Sequence, residues 1–216
     1  MGFFDLSDDG VGESTTSKRL GIVRAEVSSN LDLTGQGRVQ LTFPTIPDIE
    51  PWAPVCAPFA GDGYGLWCMP QVGDVVIVAF ENGDIAWPVV IGSVWDLTNR
   101  PPIDLPTDAV TKRVLKTPAG HELVFDDFEQ SITMTHLAGH TLTIGIKGVT
   151  IELAGGVGSL TLSVPGTVSL TGALSSTVSA KKTSVKGEVT LDLSGATTSL
   201  SADATCQVKG GLVTIN

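Results

Sequence analysis

Residues 131–170 read SITMTHLAGHTLTIGIKGVTIELAGGVGSLTLSVPGTVSL, and their alternation decides the fold. Ile132, Met134, Leu142, Ile144 and Ile146 fall on one side of an extended chain; Thr133, Thr135, Thr141, Thr143 and Gly145 fall on the other. A period of two places one strand face inside and one outside. Strands are expected at 120–125, 131–135 and 141–146. Glycine, proline or aspartate breaks recur every few residues afterwards, with apolar phase resets near 155–158 and 165–166. No repeat of fixed length is present, so the pattern is not a sequence-repeat solenoid.

Outward from this stretch the chain changes character. All four Trp and the only Tyr lie before residue 96, and eleven of the twelve Pro lie before residue 119, so two physically different objects share one chain. Ladder strands this short carry two or three core-facing side chains each, and Ala173, Ala180, Ala196, Ala202 and Ala204 keep those side chains small. One or two such strands cannot bury enough apolar area to offset chain entropy. A narrow triangular prism wound from several chains can, because small residues then suffice near the axis. Ten to twelve segments stacked at about 4.8 Å would make a rod on the order of 50–60 Å long, with edges exposed only at its ends. A single-chain β-solenoid is the alternative on pattern alone.

The chain has 216 residues and a formal net charge of −10. Such a balance disfavours unassisted binding to duplex DNA, which needs Lys and Arg to displace counterions. It is also a poor match for electrostatic docking onto anionic lipid. No apolar run approaches the length of a membrane helix. The start, MGFFDLSDDGVGESTTSKRL, lacks a basic and then apolar leader, so synthesis in the cytoplasm without a signal peptide is expected. Residues 1–19 are read as a flexible arm, with Phe3, Phe4 and Leu6 as anchors in a neighbour. Cys56, Cys68 and Cys206 form no zinc spacing; reduced thiols are expected, with a Cys56–Cys68 disulfide as the minor alternative.

Residues 20–96 read as a compact β-domain. LGIVRAEVSS supplies a first strand, and a glycine turn at 35–37 leads into a second at 38–43. A proline-rich loop, IPDIEPWAPVCAPFAGDGYG, follows, whose prolines argue against helix and central strand alike. Residues 75–80 form a strongly apolar strand, Glu81-Asn82-Gly83-Asp84 a tight turn, and 87–94 the returning strand. About five strands in one closed unit indicate a small barrel. Residues 97–119 hold four prolines and little periodicity and are read as a linker or collar; the ladder is assigned to 120–216.

The stretch GRVQLTFP, then WAPVCAPFAGDGYGLWCMPQVGDVVIVAFENGDIAWPVVIGSVWD, resembles the OB-fold domain of the central spike proteins of contractile injection systems. These include the baseplate assembly protein V of contractile-tail phages and the VgrG proteins of type VI secretion. The following KTPAGHELVFDDFEQSITMTHLAGHTLTIG resembles that family's passage into an intertwined trimeric β-helix. The resemblance implies an all-β chain, an OB-fold barrel followed by a trimeric β-helix, that serves as a structural, membrane-piercing needle below the baseplate hub. It implies a homotrimer in a phage tail, tailocin, type VI apparatus or extracellular injection particle, driven into the target envelope by sheath contraction. A separate hub protein is implied at the OB-fold/N-terminal face, because only about 20 residues precede the barrel. A PAAR-type tip protein is implied over Leu212, Val213, Thr214, Ile215 and Asn216, where a blunt end of strand edges needs a cover. Contact with the target membrane is implied as transient, and nucleic acid is not an expected partner. The competing class is a carbohydrate- or nucleic-acid-binding OB module on a β-solenoid stalk, with an envelope-degrading enzyme third.

Chemistry is sparse. His136 and His140 share the apolar register of Met134 and Leu142, so a trimer could ring either around its axis and hold an ion; no other cofactor is expected. His121 is read as a turn residue. Asp126 and Asp127 are adjacent on a strand and point to opposite faces, so with Glu129 they read as a solvated turn rather than a glycosidase pair. Cys206 keeps the register of Leu200, Ala202, Ala204 and Val208 as a small core residue. No GxSxG elbow, Walker motif or dinucleotide-binding motif is present, and no enzymatic activity is expected. Arg24, Arg38, Trp52 and Trp67 are read as collar packing rather than an oligonucleotide platform.

Overall fold

The structure is a computed structural model that describes residues 21–104 and 106–214. The arm at 1–19, with Phe3, Phe4 and Leu6, and the end residues Ile215 and Asn216 lie outside the described residues. The chain divides into two units, Met1–Lys116 and Thr117–Asn216.

The first unit holds strands β1 (Ile22–Ser29), β2 (Arg38–Thr42), β3 (Trp52–Pro54), β4 (Ala60–Gly61), β5 (Tyr64–Gly65), β6 (Val75–Phe80) and β7 (Pro88–Ser93). Five of them form an antiparallel sheet in the order β3-β2-β1-β6-β7. A parallel bridge between Val55 and Val90, with Cys56 N donating to Val90 O at 2.8 Å, joins the two ends of that sheet. This is the OB connectivity. Every second residue of β6 (Val76, Val78, Phe80) is buried, together with Ala25, Val27, Val39, Leu41, Phe43, Ala53 and Val90. Burial on one face of a closed sheet needs no partner chain.

The structure adds detail to the sequence reading at two points. The proline-rich loop does contain a strand, β3, which pairs Ala53 with Val39 and Trp52 with Gln40. Pro51 and Pro54 lack an N–H, but the ladder asks Pro51 for its carbonyl, which accepts from Leu41 N at 3.1 Å. The Asn-Gly turn has positive φ at Asn82 (52°) and Gly83 (75°), the conformation that this pair favours, yet the strands do not return at once. A second turn, Trp87 N to Asp84 O at 3.0 Å, extends the hairpin loop before Pro88 pairs with Phe80.

Between Pro106 and Pro118, in the span read as a linker, lie a one-turn helix α1 (Asp108–Thr111) and strand β8 (Lys112–Lys116). The proline-free window is long enough for both, and Lys112 Nζ meets Asp108 one turn away at 3.2 Å.

In the second unit, β9 (Glu122–Asp126), β10 (Ser131–Thr135), β11 (Thr141–Gly145), β12 (Gly148–Glu152), β13 (Gly158–Ser163) and β14 (Thr167–Gly172) form an antiparallel meander in chain order. Gly148 (φ 134°) sits where an added Cβ would collide with the Leu162 carbonyl, so only glycine lets β12 and β13 approach this closely. From 173 to 214 no strand forms among the described residues. The β-helical winding expected there is therefore not formed within one chain.

Candidate functional site

The meander register stacks equivalent residues into rows. Phe125 pairs with Ile132, Ile132 with Ile144, Ile144 with Val149, Val149 with Leu162 and Leu162 with Val168. A parallel row runs Leu123, Met134, Leu142, Ile151, Leu160 and Leu170. Two positions apart on each strand, these rows share one face. Between them, on the opposite face, runs Val124, Thr133, Thr143, Thr150, Thr161 and Ser169. The sheet is therefore apolar on one face across six strands and hydroxylated on the other.

Among the described residues the apolar face is left largely open. Phe125 is 44% exposed, Met134 51%, Ile144 44% and Leu170 62%. Beyond β14 the pattern continues in the open: Leu174, Val178, Val189, Leu193 and Leu200 are all exposed. Lone surface apolar residues are ordinary, but two contiguous rows six residues deep mark an interaction surface.

The turns at one end gather all three histidines. The His121 and His136 ring centroids lie 4.7 Å apart, and those of His136 and His140 lie 5.6 Å apart, stacked. His136 Nδ1 accepts from Ala138 N at 3.1 Å and His140 Nδ1 accepts from Ala154 N at 3.0 Å. A neutral ring bonded in this way carries its proton on Nε2, so neither nitrogen offers a lone pair to a cation while these bonds persist. Among the described residues no group of three or more His, Cys, Asp or Glu is placed to hold a metal ion. The rings serve as turn braces, with His140 tying the β10–β11 turn to the segment after β12.

The remaining candidates fall into structural roles. Asp126 accepts from Phe128 N and Glu129 N at 3.0 Å, closing the β9–β10 turn, while Asp127 and Glu129 are exposed. Cys56, Cys68 and Cys206 are free and exposed. Leu212, Val213 and Thr214 are exposed at the end of the described chain.

On the barrel, Arg38 is already consumed. Its guanidinium donates to both Asp32 carboxylate oxygens at 3.1 Å and to Thr34 Oγ1 at 2.8 Å, and it lies over Trp52. Those guanidinium bonds, then the Thr34 hydroxyl, hold Asp32 far below the usual carboxylate range. Trp67 packs on Gly37, where a Cβ would crowd its ring. The clamp that fixes the 32–38 loop was not anticipated from sequence; the DLTGQGR string carries it, since an Asp two residues before Thr and six before Arg can accept from all of them. Among the described residues no helix is long and apolar enough to cross a membrane.

Comparison with known proteins matches a segment of each unit. Residues 23–95 match the type VI secretion system/phage-baseplate injector OB domain, and residues 112–175 match the phage baseplate V C-terminal trimerisation domain. The chain is 37% identical over 102 residues to the type VI secretion system spike protein VgrG3 of Vibrio cholerae, covering 42% of this chain and 10% of that protein. It is 30% identical over 114 residues to the spike protein VgrG2a of Pseudomonas aeruginosa, covering 48% of this chain and 14% of the relative. A third relative, the actin cross-linking toxin VgrG1 of Vibrio cholerae, is 36% identical over 102 residues, 42% of this chain and 9% of the toxin. The chain thus spans about a tenth of the length of these relatives.

Proposed function

Because the chain belongs to the family of phage-baseplate and type VI injector spike proteins, we propose that it is the membrane-piercing central spike of a contractile injection system, working as a homotrimer. One observation carries this reading. The apolar face built from the Phe125 and Leu123 rows has no cover within its own unit, and it lies in the segment that matches a trimerisation domain. Three copies turn these faces toward a common axis, bury both rows and leave the Thr133–Thr143–Thr150 row in water.

The same closure explains residues 173–214. Their exposed valines and leucines gain an interior when three chains wind together, and backbone groups unpaired in one chain find partners in the next. The product is a stiff rod whose function is mechanical. Force comes from sheath contraction, and the rod transmits it to the target envelope.

The chain's role is structural rather than catalytic. Asp126, His136 and His140 are used in turns, and the chain's similarity to the toxin relative covers less than a tenth of that protein's length. Exposed Trp87, Trp95 and Leu97 on the barrel unit fit a collar against a baseplate hub. Leu212 and Val213, with the residues after them, fit a seat for a PAAR-type tip protein. An ion held on the axis by His136 or His140 would require the Ala138 and Ala154 bonds to open first.

Electron microscopy of the parent particle tests the function. Density for a spike at the centre of the baseplate is expected when this chain is present and is lost when it is withheld. A complete central spike in particles lacking the chain would contradict the proposal.

A further inference from the structure

Residues 153–187 contain no aspartate or glutamate, in a chain of net charge −10. Their charged residues are Lys181, Lys182 and Lys186, all exposed. The Arg38–Asp32 and Lys112–Asp108 ion pairs do not involve them.

Their placement in the alternation is not random. Apolar residues fall on even positions at Leu174, Val178 and Ala180, and on odd positions at Val185, Val189, Leu191 and Leu193. The phase changes at the Lys181–Lys182 pair. Lys181 therefore takes the polar side of the first run, and Lys182 and Lys186 take the polar side of the second. Wound as three chains, this segment carries nine ammonium groups on its outer surface, with no carboxylate of its own to neutralise them. Glu188 and Asp192 restore acidity immediately beyond.

We propose that Lys181, Lys182 and Lys186 form a basic band on the spike shaft that binds the phosphate headgroups of an anionic lipid surface. The inference rests on the trimeric spike reading and names the chemistry that the shaft meets. Charge complementarity selects the occupant. The remainder of the chain is acidic in net charge and is repelled by the same headgroups, so attraction is strongest at this band and fixes where along the rod the membrane surface sits. Ammonium groups near such a surface attract it additively, and salt screens the attraction.

The test is flotation of the full-length protein with vesicles of phosphatidylcholine alone or mixed with phosphatidylglycerol, at low and high salt. Light scattering reports the number of chains in each sample. The expected result is co-flotation with the mixed vesicles only, lost at high salt, and reduced roughly tenfold or more in K181E/K182E/K186E. The variant K181Q/K182Q/K186Q should fall between, and both variants should keep the mass of three chains. Equal flotation with neutral vesicles, or undiminished flotation of an assembled charge-reversed trimer, would overturn the band while leaving the spike intact. Binding to a short nucleic acid duplex as tight as to the mixed vesicles would remove lipid as the occupant. A single-chain mass for the unmodified protein would remove the spike reading and the band with it.

Discussion

The barrel and the ladder are built from the same part, a short strand that alternates apolar and polar residues, yet they meet the problem of burial differently. In the barrel the sheet closes on itself through Val55 and Val90, and Val27, Val39, Leu41, Val76 and Val78 are fully buried by their own chain. In the ladder the sheet stays open, and Phe125, Met134, Ile144 and Leu170 remain half exposed despite equally regular alternation. Closure, rather than hydrophobic content, separates a unit that satisfies itself from one that requires copies.

The sharpest way to break the comparison is to charge the open face. Leu142→Asp with Ile144→Asp puts a carboxylate into each apolar row, and an unpaired buried charge costs several kcal/mol per site. Loss of the trimer is expected, with rapid amide exchange across 122–172 and unchanged protection of the barrel strands. A variant that stays trimeric by sedimentation would mean that the rows do not face the axis.

Next in size is the sealed core. Leu41→Ala should cost about 2–5 kcal/mol of barrel stability, read from the denaturant midpoint of barrel amides, while the ladder keeps its assembly. Loss of both units together would show that they fold as one.

Gly148→Val tests the ladder locally. The positive φ and the nearby Leu162 carbonyl should cost on the order of 1–3 kcal/mol and raise exchange at the β12–β13 ladder first. Unaltered protection there would mean that the two strands do not pair in this register.

The smallest effect concerns pH and the barrel alone. Asp32 is held below the usual carboxylate range in the folded protein, so its contribution is present above the ordinary aspartate range and is lost as pH falls toward its lowered value. The barrel melting temperature should therefore drop on acidification below that range, and Asp32→Asn should flatten this part of the profile while lowering stability at neutral pH. An unchanged acid limb in the variant would remove Asp32 as a cause.

Much of this division is legible in the sequence because side-chain alternation is local. The β6 run VVIVAF and the Ile/Thr alternation around Met134 state which residues share a face, and the structure pairs them accordingly. The hidden features depend on distant partners. The β3 strand is obscured by its flanking prolines, of which Pro51 serves the ladder through its carbonyl rather than an N–H. The Val55–Val90 bridge joins segments that no local pattern connects. The backbone bond to the His140 imidazole was equally invisible, since Ala154 lies fourteen residues away.

The central claim is that the apolar rows of the ladder find their cover in other copies of the chain. Sedimentation equilibrium of the purified full-length protein measures this most directly. The account predicts one species of three chain masses that persists on dilution. A stable monomer whose β9–β14 amides are fully protected from exchange would contradict it.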